Sequence, residues 1–268
     1  MPARKSVKPK HTPRKQRKRK ALKILAACAF TTCLGILGYL LTDYILERRA
    51  RFAKYPGFGI SIPTDFSIYG IDVSHHQGRI AWDAVKQMHE GDIRLGFAFI
   101  KATEGVQSND PRFERNWRNA RQQGIRRGAY HYFLPDKNAK LQANHFIQQV
   151  KLSKGDLPPV LDVEETRGMP ASTIKKRVRE WLEIVRRHYG VKPIIYASPS
   201  FYHDVLGDDF NDYKLWVAHY VRQNQPRIGR DWVFWQFSES GRVNGIRAKV
   251  DFNVFRGDST EFRKLLIP

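Results

Sequence analysis

Eight short apolar runs lie between residues 69 and 253 of this 268-residue chain, and only the first five are followed by helical patterns. The runs are 69–74, 96–101, 128–133, 158–164, 193–197, 215–220, 232–237 and 250–253. After the first, Ile80, Trp82, Val85 and Met88 recur at helical spacing. Helices are expected at 113–123, ended by Gly124, at 138–150, at 172–189, closed by Gly190, and briefly at 200–206. Parallel strands need crossovers of about a dozen residues, usually helical, so this alternation predicts a parallel sheet buried on both faces. Eight strands suggest closure into an α/β fold of the TIM-like β/α barrel type, modified in that helices follow only the first five strands. A short helix at 262–266 ends the chain. An open doubly wound sheet is the alternative. No Gly-x-Gly-x-x-Gly or phosphate-binding loop supports nucleotide binding, and no cofactor is expected.

In such a barrel the working groups sit at the C-terminal ends of the strands. The fourth run, Pro158-Pro159-Val160-Leu161-Asp162-Val163-Glu164, carries two acids two residues apart. Side chains alternate with period 2, so Asp162 and Glu164 share a face, and two like charges so close raise one pKa. Asp72 and Asp251 stand at the ends assigned to the first and eighth strands, with Tyr130, Tyr132, Tyr196 and Trp235 on others. Acids from three strands in an aromatic-rimmed mouth suit a sugar, whose faces stack on rings while carboxyls serve the glycosidic bond.

Seven ordered segments strengthen this reading: 70–74 with Gln77-Gly78, 99–105, 128–132, 161–164, Trp216-Val217-Ala218, Trp235-Gln236 and 250–253. Together they resemble glycoside hydrolase family 25, the lysozymes (N-acetylmuramidases) of the Chalaropsis type, over about 68–256. The resemblance implies a modified β/α barrel and hydrolysis of the β-1,4 bond between N-acetylmuramic acid and N-acetylglucosamine. It implies Glu164 as the general acid on the leaving oxygen. Asp162 would orient the substrate N-acetyl group or charge the transition state, with Asp72 and Asp251 completing an acidic cluster. Tyr130, Tyr132, Tyr196 and Trp235 would line sugar subsites. The family's mechanism is described as substrate-assisted, the acetamido oxygen acting as nucleophile; carboxylate separations decide the stereochemical course.

Charge and hydropathy divide the chain. Of 47 Lys and Arg, eleven lie in residues 1–42, where no acid occurs. Residues 1–20 read as a disordered basic cytoplasmic tail and 21–46 as a transmembrane helix, whose uninterrupted apolar core 24–41 approaches the span of a bilayer. Residues 47–65, with Tyr-Pro-Gly-Phe-Gly, read as a linker, and 66–268 as the barrel domain. The basic side stays in the cytoplasm, giving a single-pass protein of the cytoplasmic membrane with its barrel in the periplasm or outside. Leu25-Ala26-Ala27-Cys28 resembles a lipoprotein processing site, but the apolar run follows that cysteine. Cys28 and Cys33 are the only cysteines, and on one helix they lie on different faces and do not bridge.

The remaining signals have plainer explanations. His75-His76 has no third metal ligand at a useful spacing. Lys101 reads as a structural partner for Asp251, and Glu104 as a turn residue. The net charge of +21 admits nucleic acid, but a basic tail beside an apolar anchor fits topology or anionic-lipid contact better. The expected partners are peptidoglycan glycan strands and a membrane, with no nucleic acid, for a monomer. The alternative function is a catalytically inactive wall-binding module on the same barrel.

Overall fold

A computed structural model describes residues 13–47, 51–220 and 225–268. The chain divides into two units, Met1–Arg49 and Ala50–Pro268. In the first, helix α1 spans Pro13–Glu47 and so starts ahead of the expected residue 21, as suits the good helix propensity of Lys and Arg. Positions 1–12 of the expected tail lie outside the described residues. A stretch of 25 residues, Lys18–Thr42, contains an 18-residue window of mean hydropathy 2.1 and is long and apolar enough to cross a membrane. Its hydroxyls bond within the helix: Thr31 and Thr32 each donate to the Cys28 carbonyl at 2.9 Å, and Thr42 to that of Gly38 at 2.8 Å. Cys28 and Cys33 are both free thiols.

The second unit opens with a hairpin where a linker was expected. Strands β1 (Phe52–Tyr55) and β2 (Ile60–Pro63) pair antiparallel around the Pro56–Gly59 turn. The turn chemistry is as read, but the alternation Ile60-Ser61-Ile62 buries both isoleucines, and Phe58 at the tip is fully buried against Phe252. An apolar tip of this kind fastens a segment to a core.

The barrel strands are β3 (Ile68–Val73), β5 (Ile93–Glu104), β7 (Arg126–Tyr132), β8 (Val160–Asp162), β9 (Ile194–Ala197), β10 (Lys214–Ala218), β11 (Phe234–Gly241) and β12 (Val250–Phe255). They close in the order β3-β5-β7-β8-β9-β10-β11-β12 and back to β3. Two short strands, β4 (His89–Glu90) and β6 (Ser108–Asn109), pair antiparallel with β5. Helices α2 (Trp82–Gln87), α3 (Phe113–Gln122), α4 (Ala139–Gln149) and α5 (Ala171–Tyr189) follow β3, β5, β7 and β8. After β9 comes α6 (Pro199–Phe201), continued by a wider turn over Tyr202–Leu206. On α5, Ile174, Val178, Trp181, Leu182 and Val185 form one buried stripe, and Gly190 ends the helix in the left-handed conformation at φ 72°.

Seven strands run parallel, but β12 is antiparallel to both neighbours, β11 and β3. An all-parallel barrel was expected. The segment between β11 and β12 carries no helix and is too short for a parallel crossover, so the chain turns straight back. Asp251 therefore starts its strand rather than ending it, and the reversal delivers it to the mouth opposite Asp72.

Inside the barrel Phe99 stacks on Trp216 at 4.3 Å and Phe97 packs on Phe234 at 5.1 Å. A Cβ at Gly70 would sit 2.5 Å from the Phe97 carbonyl, and one at Gly128 2.6 Å from the Phe99 ring. These two glycines create the room for the phenylalanines. Helix α7 (Ser259–Leu265) brings Phe262 against Phe97 and Phe255, plugging the end opposite the mouth.

Candidate active site

At the C-terminal ends of the parallel strands lies a cavity of about 310 Å³. It gathers Asp72 from β3, Tyr130 and Tyr132 from β7, Asp162 and Glu164 from the end of β8, Tyr196 from β9 and Asp251 from β12. Tyr132, Asp162, Tyr196 and Trp216 stand in one register row across β7, β8, β9 and β10, which is why they share a level of the mouth.

Trp235 is not in this cavity. It is fully buried on the outer face of β11, among Phe52, Phe66 and Trp232, and its indole N–H donates to the His219 carbonyl at 2.7 Å. With period 2, Phe234 and Gln236 point inward and Trp235 points out. Lys101 also departs from expectation: it pairs with Glu104 at 2.7 Å and sits over the Tyr132 ring at 4.7 Å, rather than pairing with Asp251. His131, at the end of the third run, faces outward. It is buried between Thr103 (2.7 Å) and Gln142 (3.1 Å), and burial depresses its pKa to about 3, so it is a neutral packing group. His75 and His76 occupy a single 3-10 turn with ring centroids 4.0 Å apart, and His75 bonds Asp110 at 3.0 Å. The turn, rather than extended backbone, brings the two rings together.

The acids form two pairs. Asp72 and Asp251 oppose one another across the β3–β12 ladder. Gln236 Nε2 and Asn253 Nδ2 donate to Asp72 Oδ2 at 2.8 and 2.7 Å. Burial raises the Asp72 pKa, while the Asn253 and Gln236 donors and a bond from Asp251 pull it back. Burial and the facing Asp72 charge push Asp251 far above the carboxylate range. Asp72 is thus the ionised member and Asp251 the protonated one. In the second pair, burial followed by the neighbouring Glu164 charge raises Asp162, and its Oδ1 has no hydrogen-bond partner. Glu164 is exposed at the rim; its pKa is also raised, by the protein crowding that displaces water and by the Glu165 charge, with the bond to Asp162 opposing. Both carboxyls therefore keep a proton to higher pH than an isolated carboxylate does.

Sequence reasoning missed the supporting network. Tyr196 and Tyr220 both donate to Gln236 Oε1, at 2.9 and 2.6 Å, and Trp216 Nε1 donates to Asn253 Oδ1 at 2.8 Å. Two amides thereby connect three aromatic residues to Asp72. Gln236, Asn253 and Trp216 all stood in the segments that carried the family resemblance. Their inward direction follows from period 2 once the neighbouring Phe234 is placed inside the barrel.

The family profile described as Glycosyl hydrolases family 25 matches residues 71–246, a range that includes three of the four acids. The chain belongs to glycoside hydrolase family 25. Among relatives, an uncharacterized protein, YegX of Escherichia coli K12, is 49% identical over 83% of this chain and 81% of its own length. Lysozyme M1 of Streptomyces globisporus is 34% identical over 76% of this chain and 73% of its own. The structure of a family 25 glycosyl hydrolase from Bacillus anthracis superposes with a TM-score of 0.69 at 30% identity, covering 79% of this chain and 99% of that one. The chain is accordingly a glycoside hydrolase with the family's barrel.

Proposed function

We propose that this family 25 enzyme is a muramidase that hydrolyses the β-1,4 bond between N-acetylmuramic acid and N-acetylglucosamine in peptidoglycan. The observation that carries the reading is the Asp162/Glu164 pair, which keeps a proton above the usual carboxylate range at the open rim of an aromatic-lined cavity. Glu164, the member facing solvent, delivers that proton to the leaving glycosidic oxygen. Asp162, buried behind it with a free oxygen, orients the acetamido group. Ionised Asp72 supplies negative charge facing the developing oxocarbenium ion, and Asp251 keeps Asp72 in place through the bond it donates. Tyr130, Tyr132 and Tyr196 present ring and hydroxyl surface to the sugars. A relative named a lysozyme and others named N,O-diacetylmuramidase support the substrate class.

The apolar helix supports a single-pass anchor with residues 1–20 in the cytoplasm and the barrel in the periplasm or outside, facing the wall. A C-terminal fusion to a reporter active only in the cytoplasm is expected to stay silent; strong signal there sinks this topology.

The test of the activity is mass analysis of soluble products from purified walls treated with the full chain. Reducing-end muramic acid is expected; reducing-end glucosamine would make the enzyme a glucosaminidase. Glu164→Gln is expected to lower release by about 10²–10⁴-fold, the usual contribution of a general acid. Equal release by wild type and variant overturns the assignment.

A further inference from the structure

Beside the catalytic cavity runs a second, larger groove of about 890 Å³. The two share His76 and Gln77, so the groove begins where the cavity ends. One wall is α3, where Arg115, Asn119 and Gln122 recur at helical spacing on one face. The other consists of the loop after the 3-10 turn, with Arg79, and the loop before β12, with Arg247. These two loops are joined: Ala81 N–H donates to the Gly245 carbonyl at 3.0 Å. Gly245 lies at φ 88°, and a Cβ there would come within 2.4 Å of the Ala81 carbonyl, so only glycine permits the joint. Buried Ile80, Trp82 and Ile246 make the floor rigid.

The groove's charge is unbalanced. Three arginines line it against one acid, Asp83. Some arginines elsewhere on this surface are paired, as with Arg51–Asp65, Arg186–Glu183 and Arg256–Asp231. Arg79, Arg115 and Arg247 have no hydrogen-bond or ion-pair partner among the described residues, and Arg115 Nε is buried without one. Guanidinium forks in a polar groove are suited to bidentate recognition of carboxylates.

We infer that this groove binds the free carboxylates of the stem peptides carried by the glycan strand, so that peptide-bearing peptidoglycan is held in preference to bare glycan. The inference rests on the muramidase reading of the neighbouring cavity. Each muramic acid in that polymer bears its peptide on the lactyl group, on the same sugar as the scissile bond. A strand lying in the cavity therefore projects a carboxylate-rich chain within reach of the adjoining groove. Asn119, Gln122 and Gln123 supply amides for the peptide backbone.

Binding is measured by calorimetry on the full chain carrying Glu164→Gln, with three soluble probes: the disaccharide–tetrapeptide, the same compound with its carboxylates amidated, and the disaccharide without peptide. The acid form is expected to bind at least about tenfold tighter than either other probe. Adding Arg115→Gln and Arg247→Gln should bring the three dissociation constants to within about threefold of one another. The exposed Arg79→Gln alone should narrow the gap partway, and it serves if the double variant fails to fold by circular dichroism. Equal affinities for the three probes, or a contrast that survives the arginine substitutions, overturns the inference. Wild-type turnover on purified walls, measured alongside, tests the muramidase reading separately. Loss of that reading leaves the binding contrast to decide the groove.

Discussion

The two carboxyl pairs of the mouth are built from the same chemistry and held in opposite ways. Asp72 and Asp251 face each other across an antiparallel ladder, and Asp72 takes donors from Gln236 and Asn253 that are themselves fixed by Tyr196, Tyr220 and Trp216. Asp162 and Glu164 lie at the open end of a three-residue strand, with Asp162 Oδ1 unpartnered and Glu164 exposed. The first pair has its charge state set by protein donors. The second has unused hydrogen-bonding capacity and a proton it can release. A site that must present one constant charge and one mobile proton needs both kinds of pair, because a carboxyl saturated by protein donors has little left to offer substrate.

The comparison breaks most sharply at the mobile pair, where Glu164→Gln has the largest expected effect. The next test is aimed at the fixed pair. Gln236→Met keeps the volume but removes the donor to Asp72 and the acceptor shared by Tyr196 and Tyr220. We expect kcat to fall by about 10–100-fold, on the order of 1.4–2.7 kcal/mol of transition-state stabilisation. Reducing-end release over a range of substrate concentrations measures it. A change confined to KM would show that Gln236 only shapes the cavity and that Asp72 does not depend on it.

Much of this arrangement was legible in the sequence. The eight runs and five helices follow from periodicity because barrel strands are buried on both faces and barrel helices on one. The acids were legible because period 2 places Asp162 and Glu164 together. Strand direction was harder to read: Asp251 looks like the end of a strand until the helix-free connection before it is taken to forbid a parallel crossover. Trp235 illustrates a different limit. Its face depends on which of two adjacent large residues the barrel interior admits, and the hairpin that covers it was itself read as a linker. The hydrogen-bond network depends on side-chain reach between β3, β11 and β12, which no local pattern encodes.

The fixed pair also costs stability. Asp251 is raised far above its unfolded value near 4, so folding favours its protonated form. The stability this contributes is complete below about pH 4 and declines as pH rises toward the folded value. At neutral pH the fold therefore bears the cost of keeping Asp251 neutral beside Asp72. Asp251→Asn keeps a hydrogen-bond donor and removes the titration. Thermal unfolding followed by circular dichroism is expected to show the variant more stable at pH 7 by about 1 kcal/mol, a rise of roughly 2–4 °C, with the gain growing toward pH 8. A variant less stable at pH 7 would mean that holding Asp251 protonated does not cost the fold stability.

The smallest expected effect distinguishes the mobile pair most finely. The positive charge of Lys101 lowers the pKa of both Asp162 and Glu164, while burial raises both, the Glu164 charge adding to the rise of Asp162 and the Glu165 charge to that of Glu164. Lys101→Gln removes the lowering influence and leaves Glu104 without its 2.7 Å partner, which adds uncompensated negative charge nearby. Both changes favour the protonated forms, so the pair keeps its proton to higher pH. The alkaline limb of the rate profile should move upward, by about half a pH unit, with little change in the plateau. The fixed pair has no Lys101 contribution among the causes that set Asp72 and Asp251, so its charge state should not follow. A downward shift of the alkaline limb would place the active proton on a group other than Asp162 and Glu164, and the division between the two pairs would fall with it.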